Sequence, residues 1–236
     1  MKLKKSFTYA LQHSLPIFAG FIPLGLAYGV LMQNAGYNAL WTGATCLFLL
    51  AGSLQFLMIS FFTSSVSLLT VTVMALLVNS RHIFYGISFI EKFRTFGPWR
   101  HYLIYTLSDE NYSLHCDAKI DEDMDEKWTC IFTSTLVMLY WLIPSVLGGL
   151  IGSLIPFDMT GVDFALTALF VTILLDQLKG ATSHLPAGIA IASSAICLLI
   201  FGPSNFILPS LIITVAALTV LRNYIAPKKE AAENGN

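Results

Sequence analysis

Seven apolar runs dominate the chain, at about 13–33, 40–62, 66–90, 129–155, 163–180, 185–201 and 205–223. Each approaches the ~20 residues that a helix needs to cross the hydrocarbon core of a bilayer. In lipid no water satisfies the backbone, so such runs are confined to helices that close their own hydrogen bonds. Composition points the same way. Hydrophobic residues make up 56% of the 236 and charged residues 11%, with a mean hydropathy of +0.71. A soluble domain carries about 25% charged residues, so this chain has too few to cover a globular surface. The expected fold is all-α: a polytopic integral membrane protein of about seven to eight transmembrane helices, some of them broken. A net charge of −1 excludes a broad basic surface for nucleic acid. Cys46, Cys116, Cys130 and Cys197 are scattered, with no CxxC pair, so neither a disulfide framework nor a zinc site is indicated. No metal and no cofactor is expected.

A basic N-terminus (1–12) precedes a single membrane domain (13–225), and a polar tail (226–236) follows it. Met1-Lys2-Leu3-Lys4-Lys5 resembles the start of a secretory signal. The stretch behind it, however, contains Gln12, His13 and Pro16 and then runs apolar through Leu31, too long for a signal core. It reads as a first span whose lysines stay in the cytoplasm. The linker 91–128 opens with Lys92, Arg94 and Arg100 and closes with the acidic run Asp121-Glu122-Asp123-Met124-Asp125-Glu126. That run reads as a solvated loop, since it lacks the glycine of an EF-hand. Counting crossings from a cytoplasmic start, three spans put the basic turn outside, against the usual bias. A short or broken crossing at 100–115 would return the acidic loop to the cytoplasm. It would also leave Arg222, Lys228 and Lys229 inside, a total of eight; without it the total is seven.

The two halves, 13–90 and 129–223, share a pattern. Pro23 is followed by Gly25 and Gly29, and Pro144 by Gly148 and Gly152. At constant offset Gln55 aligns with Asp176, and the break near Asn79 falls close to Gly202-Pro203-Ser204-Asn205. Small residues four apart let helices approach closely, and inverted repeats with interrupted helices are common in secondary transporters. Chance likeness between two Gly- and Pro-bearing apolar halves is the competing explanation.

Four polar breaks interrupt the apolar runs. In Ala51-Gly52-Ser53-Leu54-Gln55-Phe56 the Gly-Ser pair permits a kink, and the Gln55 amide needs a partner. Asn79-Ser80-Arg81-His82-Ile83-Phe84-Tyr85-Gly86 places a guanidinium, an imidazole and an amide inside a span. An Arg at a helix centre costs about 3 kcal/mol on insertion scales, so it marks either a transport site or a residue snorkelling to the membrane surface. On a helix Asn79, His82 and Gly86 share one face, and Arg81 and Tyr85, four apart, share the next. Leu107-Ser108-Asp109-Glu110-Asn111-Tyr112 sets two carboxylates in a weakly apolar piece, suited to an ammonium, a proton or the neutralisation of Arg81. Asp163 reads as a helix cap, and Asp176 as a partner of Lys179.

These fragments resemble the AzlC family of branched-chain amino acid permeases and exporters. The matching pieces are the 51–56 and 79–86 breaks, Leu107-Ser108-Asp109-Glu110 and Asp163-Phe164-Ala165-Leu166, which occur in the family's order. Ser108 stands where the family more often has Thr; both carry a hydroxyl. The resemblance implies the large subunit of a two-component exporter of valine, leucine, isoleucine and sometimes methionine. It also implies a small AzlD-like membrane subunit as partner.

The site residues follow from polarity and depth. Substrate would lie between the Gln55 break and the Asn79–Tyr85 break. Arg81 would take its carboxylate, Asp109 or Glu110 its ammonium, and Phe56 and Phe84 would enclose its side chain. His82, Asp109 or Glu110 would exchange a proton. The expected setting is a bacterial inner membrane. Rival readings are an ion channel or ion carrier using Asp109, Glu110 and Asp176, and an assembly subunit without a pathway of its own. An intramembrane enzyme is disfavoured because no GxSxG or HExxH occurs, and direct ATP use because no GxxxxGK[ST] loop does.

Overall fold

A computed structural model describes residues 2–64, 66–154, 171, 174–175, 178–179, 183–202 and 206–221. Asp163 and Asp176, the 163–166 fragment, most of the 163–180 run and the C-terminal tail lie outside the described residues. So does most of the Gly202–Asn205 break. Among the described residues all regular structure is helical. The helices are α1 (Lys2–Asn34), α2 (Ala39–Phe48), α3 (Gly52–Thr63), α4 (Leu68–Arg94), α5 (Trp99–Tyr105), α6 (Asp109–Asp117), α7 (Glu126–Leu154), α8 (Leu185–Phe201) and α9 (Ile207–Val220). Of these, α1, α4 and α7 are long and apolar enough to cross a membrane. The chain divides into two compact units, Met1–Val66 with Val78–Val162, and Ser67–Leu77 with Asp163–Asn236.

In the first unit α1 and α7 form the scaffold. Ring pairs Phe7–Phe132 (5.4 Å), Phe18–Tyr140 (4.9 Å) and Phe21–Trp141 (5.1 Å) advance together along both helices, so the two run parallel. Their close approach depends on the glycines that stand out in the sequence. A Cβ on Gly29 would overlap the Ser145 carbonyl and the Gly149 nitrogen, and one on Gly148 would overlap the Leu26 carbonyl. The two glycine patterns therefore face each other across a single helix–helix contact, backbone on backbone, as small residues permit.

Between these helices the chain makes two hairpins that each enter and leave by the same end. α1 stops at Asn34, and α2 starts from an Asn38 cap whose side chain accepts from the Leu40 and Trp41 N–H groups. Tyr28 of α1 holds Thr45 of α2 at 2.8 Å, and Trp141 of α7 holds Gln55 of α3 at 2.6 Å, so both arms reach the middle of the scaffold. Phe62 at the end of α3 then returns to Tyr37, with ring centroids 4.4 Å apart. The stretch 40–62, which the sequence presents as one span, is thus a re-entrant hairpin. Its turn is Leu49–Ala51, where Leu50 sits in the left-handed region at φ 38°.

α5 and α6 mirror this arrangement from the opposite end. Trp99 packs on Trp128 near the start of α7, Tyr102 bonds Thr135 at 2.8 Å, and the chain turns at Thr106–Ser108. His115 of α6 comes back to the level of Ser134, and the Lys119 N–H reaches the Tyr9 hydroxyl at the start of α1. The 100–115 segment is accordingly a second hairpin rather than a crossing. α4 ends beside α7's first turn, with Lys92 2.9 Å from Glu126. Lys5 pairs with Asp123 at that same end. The basic N-terminus and the basic turn therefore share one end of this unit. In the second unit α8 and α9 are joined by a Ser193–Thr214 hydroxyl pair.

Candidate transport site

The two hairpin turns meet at Arg81, the midpoint of α4. Its Nη2 donates to Ser53 Oγ in the first turn of α3 at 2.7 Å, and lies 2.8 Å from Asp109 Oδ2 in the first turn of α6. Tyr85, one helical turn along α4, donates its hydroxyl to the other Asp109 oxygen at 2.7 Å. A further tie joins the two turns directly, from the Tyr105 hydroxyl to the Leu47 carbonyl. Ser108 caps α6 by accepting from the Asn111 N–H, and its hydroxyl also donates to Glu110 at 2.8 Å. The N-terminal ends of α3 and α6, which carry partial positive charge, thus flank the guanidinium. Together they favour an anionic group at that point. The Arg81 side chain is 32% exposed, so the guanidinium is not fully enclosed by the residues that bind it.

Among the described residues two polar atoms of the 79–86 break are buried without a partner, Arg81 Nε and Asn79 Oδ1; Gln55 Nε2, on the Trp141 side of α3, is a third. Buried polar groups are nearly always satisfied, so the two at Arg81 and Asn79 fit a place where a polar solute or water docks.

The sequence-derived residues divide by position. Arg81, Tyr85 and Asp109 form one bonded group, with Glu110 beside it. Gln55 is fully buried and turned toward Trp141. Phe56 lies in the same aromatic cluster with Tyr28 and Trp141, so both secure α3 to the scaffold. His82 Nδ1 lies 3.2 Å from the Asn79 carbonyl of its own helix, and its ring meets Tyr85 edge-on. Phe84 is 67% exposed and is not brought to the cluster, because it sits on the outward face of α4. Sequence reasoning missed Ser53 as a guanidinium partner and Trp141 as the partner of Gln55. For Ser53 the signal was present in the Gly-Ser break. For Trp141 only a lone indole N–H in an apolar run hinted at it.

Two half-length hairpins converging on a polar cluster in a helical membrane protein are an architecture that many secondary transporters use. Comparison with known proteins narrows this. The AzlC protein family matches residues 16–155, more than half of the chain. A branched-chain amino acid transport protein, AzlC, of Bacillus subtilis is 35% identical over 217 residues, covering 92% of this chain and 85% of the relative. Uncharacterised membrane proteins of Haemophilus influenzae (35% over 229 residues, 97% and 92% covered) and Helicobacter pylori (33% over 222 residues, 94% and 97% covered) are also similar. No solved structure matches. The chain belongs to the AzlC family.

Proposed function

We propose that this protein is the large subunit of a secondary transporter that exports valine, leucine, isoleucine and sometimes methionine. It works across a bacterial inner membrane with its N-terminus in the cytoplasm, coupled to protons, beside a small AzlD-like subunit, and it catalyses no reaction. The observation that carries the reading is the bridge from Arg81 to Ser53 on one hairpin and Asp109 on the other. Asp109 models the interaction a substrate carboxylate would make with this guanidinium, whose planar fork suits two parallel hydrogen bonds. When the substrate takes that place, Asp109 is freed to meet the ammonium group or to accept a proton. Glu110 stands next to it for the same purpose. The transport name of the Bacillus subtilis relative supports amino acids as the solute class. The shared basic end of α1 and α4 supports a cytoplasmic N-terminus by the positive-inside bias.

The test is valine counterflow in proteoliposomes, with and without the small subunit. Wild type is expected to exchange labelled valine, and Arg81→Ala to insert normally yet exchange none. Unimpaired exchange by that variant removes Arg81 from the mechanism. Ion current without exchange in the wild type makes the protein a channel instead.

A further inference from the structure

The acidic half of the site rides on α6, and α6 leads from there toward the basic end of the unit. Asn111 and His115, one turn apart, are 2% and 4% exposed. Asn111 gives its Nδ2 to the Thr106 carbonyl at 2.6 Å, which leaves Oδ1 buried with no partner among the described residues. His115 Nε2 lies 3.1 Å from Ser134 Oγ of α7, and the edges of Phe89 and Phe93 of α4 close around the ring at 5.8 Å. On α1, His13 stacks on Tyr9 at 5.3 Å, and its Nε2 is likewise buried and unpartnered among the described residues. The Tyr9 hydroxyl accepts the Lys119 N–H where the hairpin emerges.

These groups are polar points set, from the site toward the basic end, in an otherwise apolar, aromatic packing layer, a thread whose links would be water rather than direct hydrogen bonds. Two buried unpartnered atoms along it, Asn111 Oδ1 and His13 Nε2, are of the kind that bridging water satisfies. The ionisable groups that face His115 are His13 from α1 and Lys92 from α4, the latter held by Glu126 of α7. α7 also contributes the buried Cys130 thiol to the same layer, and α6 itself carries Asp109 and Glu110 before His115 and Asp117 after it. Packing alone gives no reason to set two imidazoles here, since a hydrophobe of similar size would fill the space without a polar demand.

We propose that His115 and His13 form the inner limb of the proton path, carrying the coupling proton between Asp109 and the basic end of the unit. This rests on the proton-coupled transport reading above. A neutral imidazole takes one proton on its bare ring nitrogen as Asp109 releases it. The imidazole then gives up the proton on its other ring nitrogen toward Tyr9 and the surface, and a reorientation of the ring restores the original tautomer, so one proton moves per cycle. His82, tied to its own helix, has no place in this limb.

The experiment uses inside-out membrane vesicles from cells expressing the full chain with its small subunit. Two measurements are compared: valine–valine exchange at equal pH on both sides, and valine uptake driven by an imposed pH gradient. H115Q and H13Q are expected to keep exchange within about twofold of wild type while gradient-driven uptake falls about tenfold or more. A merely structural histidine would lower both measurements together. Retention of gradient-driven uptake in both variants overturns the proposal, and so does parallel loss of uptake and exchange in both. Should H115Q fail to insert, H13Q, whose ring is less buried, decides the matter alone. A wild type that exchanges valine but ignores the gradient overturns the thread and leaves transport standing; a wild type without exchange overturns the transport reading itself.

Discussion

Arg81 stands at the centre of a 27-residue helix, where its charge is costly unless matched. Ser53 and Asp109 match it from two different hairpins, with one nitrogen serving both. A lysine offers a single point charge on a flexible stem and cannot reproduce the planar fork. Arg81→Lys is therefore expected to lower valine export about tenfold or more without loss of inserted protein, read from efflux rates normalised to membrane content. Tyr85→Phe removes one hydrogen bond to a carboxylate, an interaction worth about 1.5–3 kcal/mol when charged. Because the Asp109 side chain is 38% exposed, the lower end applies, about a tenfold fall in export rate. Helical spacing alone does not separate these residues, since positions three and four along both neighbour Arg81. Tyr85 follows Arg81 by four and shares its face, whereas Phe84 follows by three and faces outward. What misled the sequence reading was composition: an aromatic beside a polar break looks like a lining residue, and only the phase of the helix against its neighbours decides.

The hairpins were the least legible part of the fold. Hydropathy sums residues without direction, so an entering and a leaving arm of 10 and 12 residues score like one continuous span. Each arm covers only about 15–18 Å, half a bilayer, and Leu49-Leu50 at the turn are as apolar as the arms themselves. The Gly-Ser break was visible in the sequence; that it reverses the chain was not, since reversal depends on Trp141 and Tyr28 holding the arms from outside. By contrast the glycines of α1 and α7 announced their packing, although the sequence suggested a repeat rather than partners. Their consequence is sharp. Gly29→Leu drives a side chain into the α7 backbone and should cost several times the ~1–3 kcal/mol of ordinary overpacking, seen as loss of folded protein in detergent. Gly20→Ala meets no atom within 4 Å and replaces a poor helix former. It should gain up to ~1 kcal/mol and raise the thermal midpoint.

Two hairpins that do not cross change how the first unit is threaded. α1 leaves the basic end, the α2–α3 hairpin departs from and returns to the far end, and α4 comes back beside Glu126. The α5–α6 hairpin then departs from and returns to the basic end, from which α7 sets out parallel to α1. The conflict that a simple span count raises, with Lys92, Arg94 and Arg100 on the wrong side, disappears, because those residues lie at the end that holds Lys2 and Lys5. The arrangement also gives each hairpin its own end of the unit, so that Arg81 is approached by one turn from each end. This threading makes a prediction that a span count does not share. In a cysteine-free background, single cysteines at Lys4, Thr95 and Asp121, all exposed, should react with an impermeant maleimide only from the cytoplasmic side. One at Ser64, exposed just beyond α3, should react only from the opposite side. A continuous span over 40–62 would instead put Ser64 with Lys4 and Thr95 across from both. Labelling of Thr95 and Ser64 from intact cells and from inverted vesicles therefore decides between hairpin and span, whatever solute the protein carries.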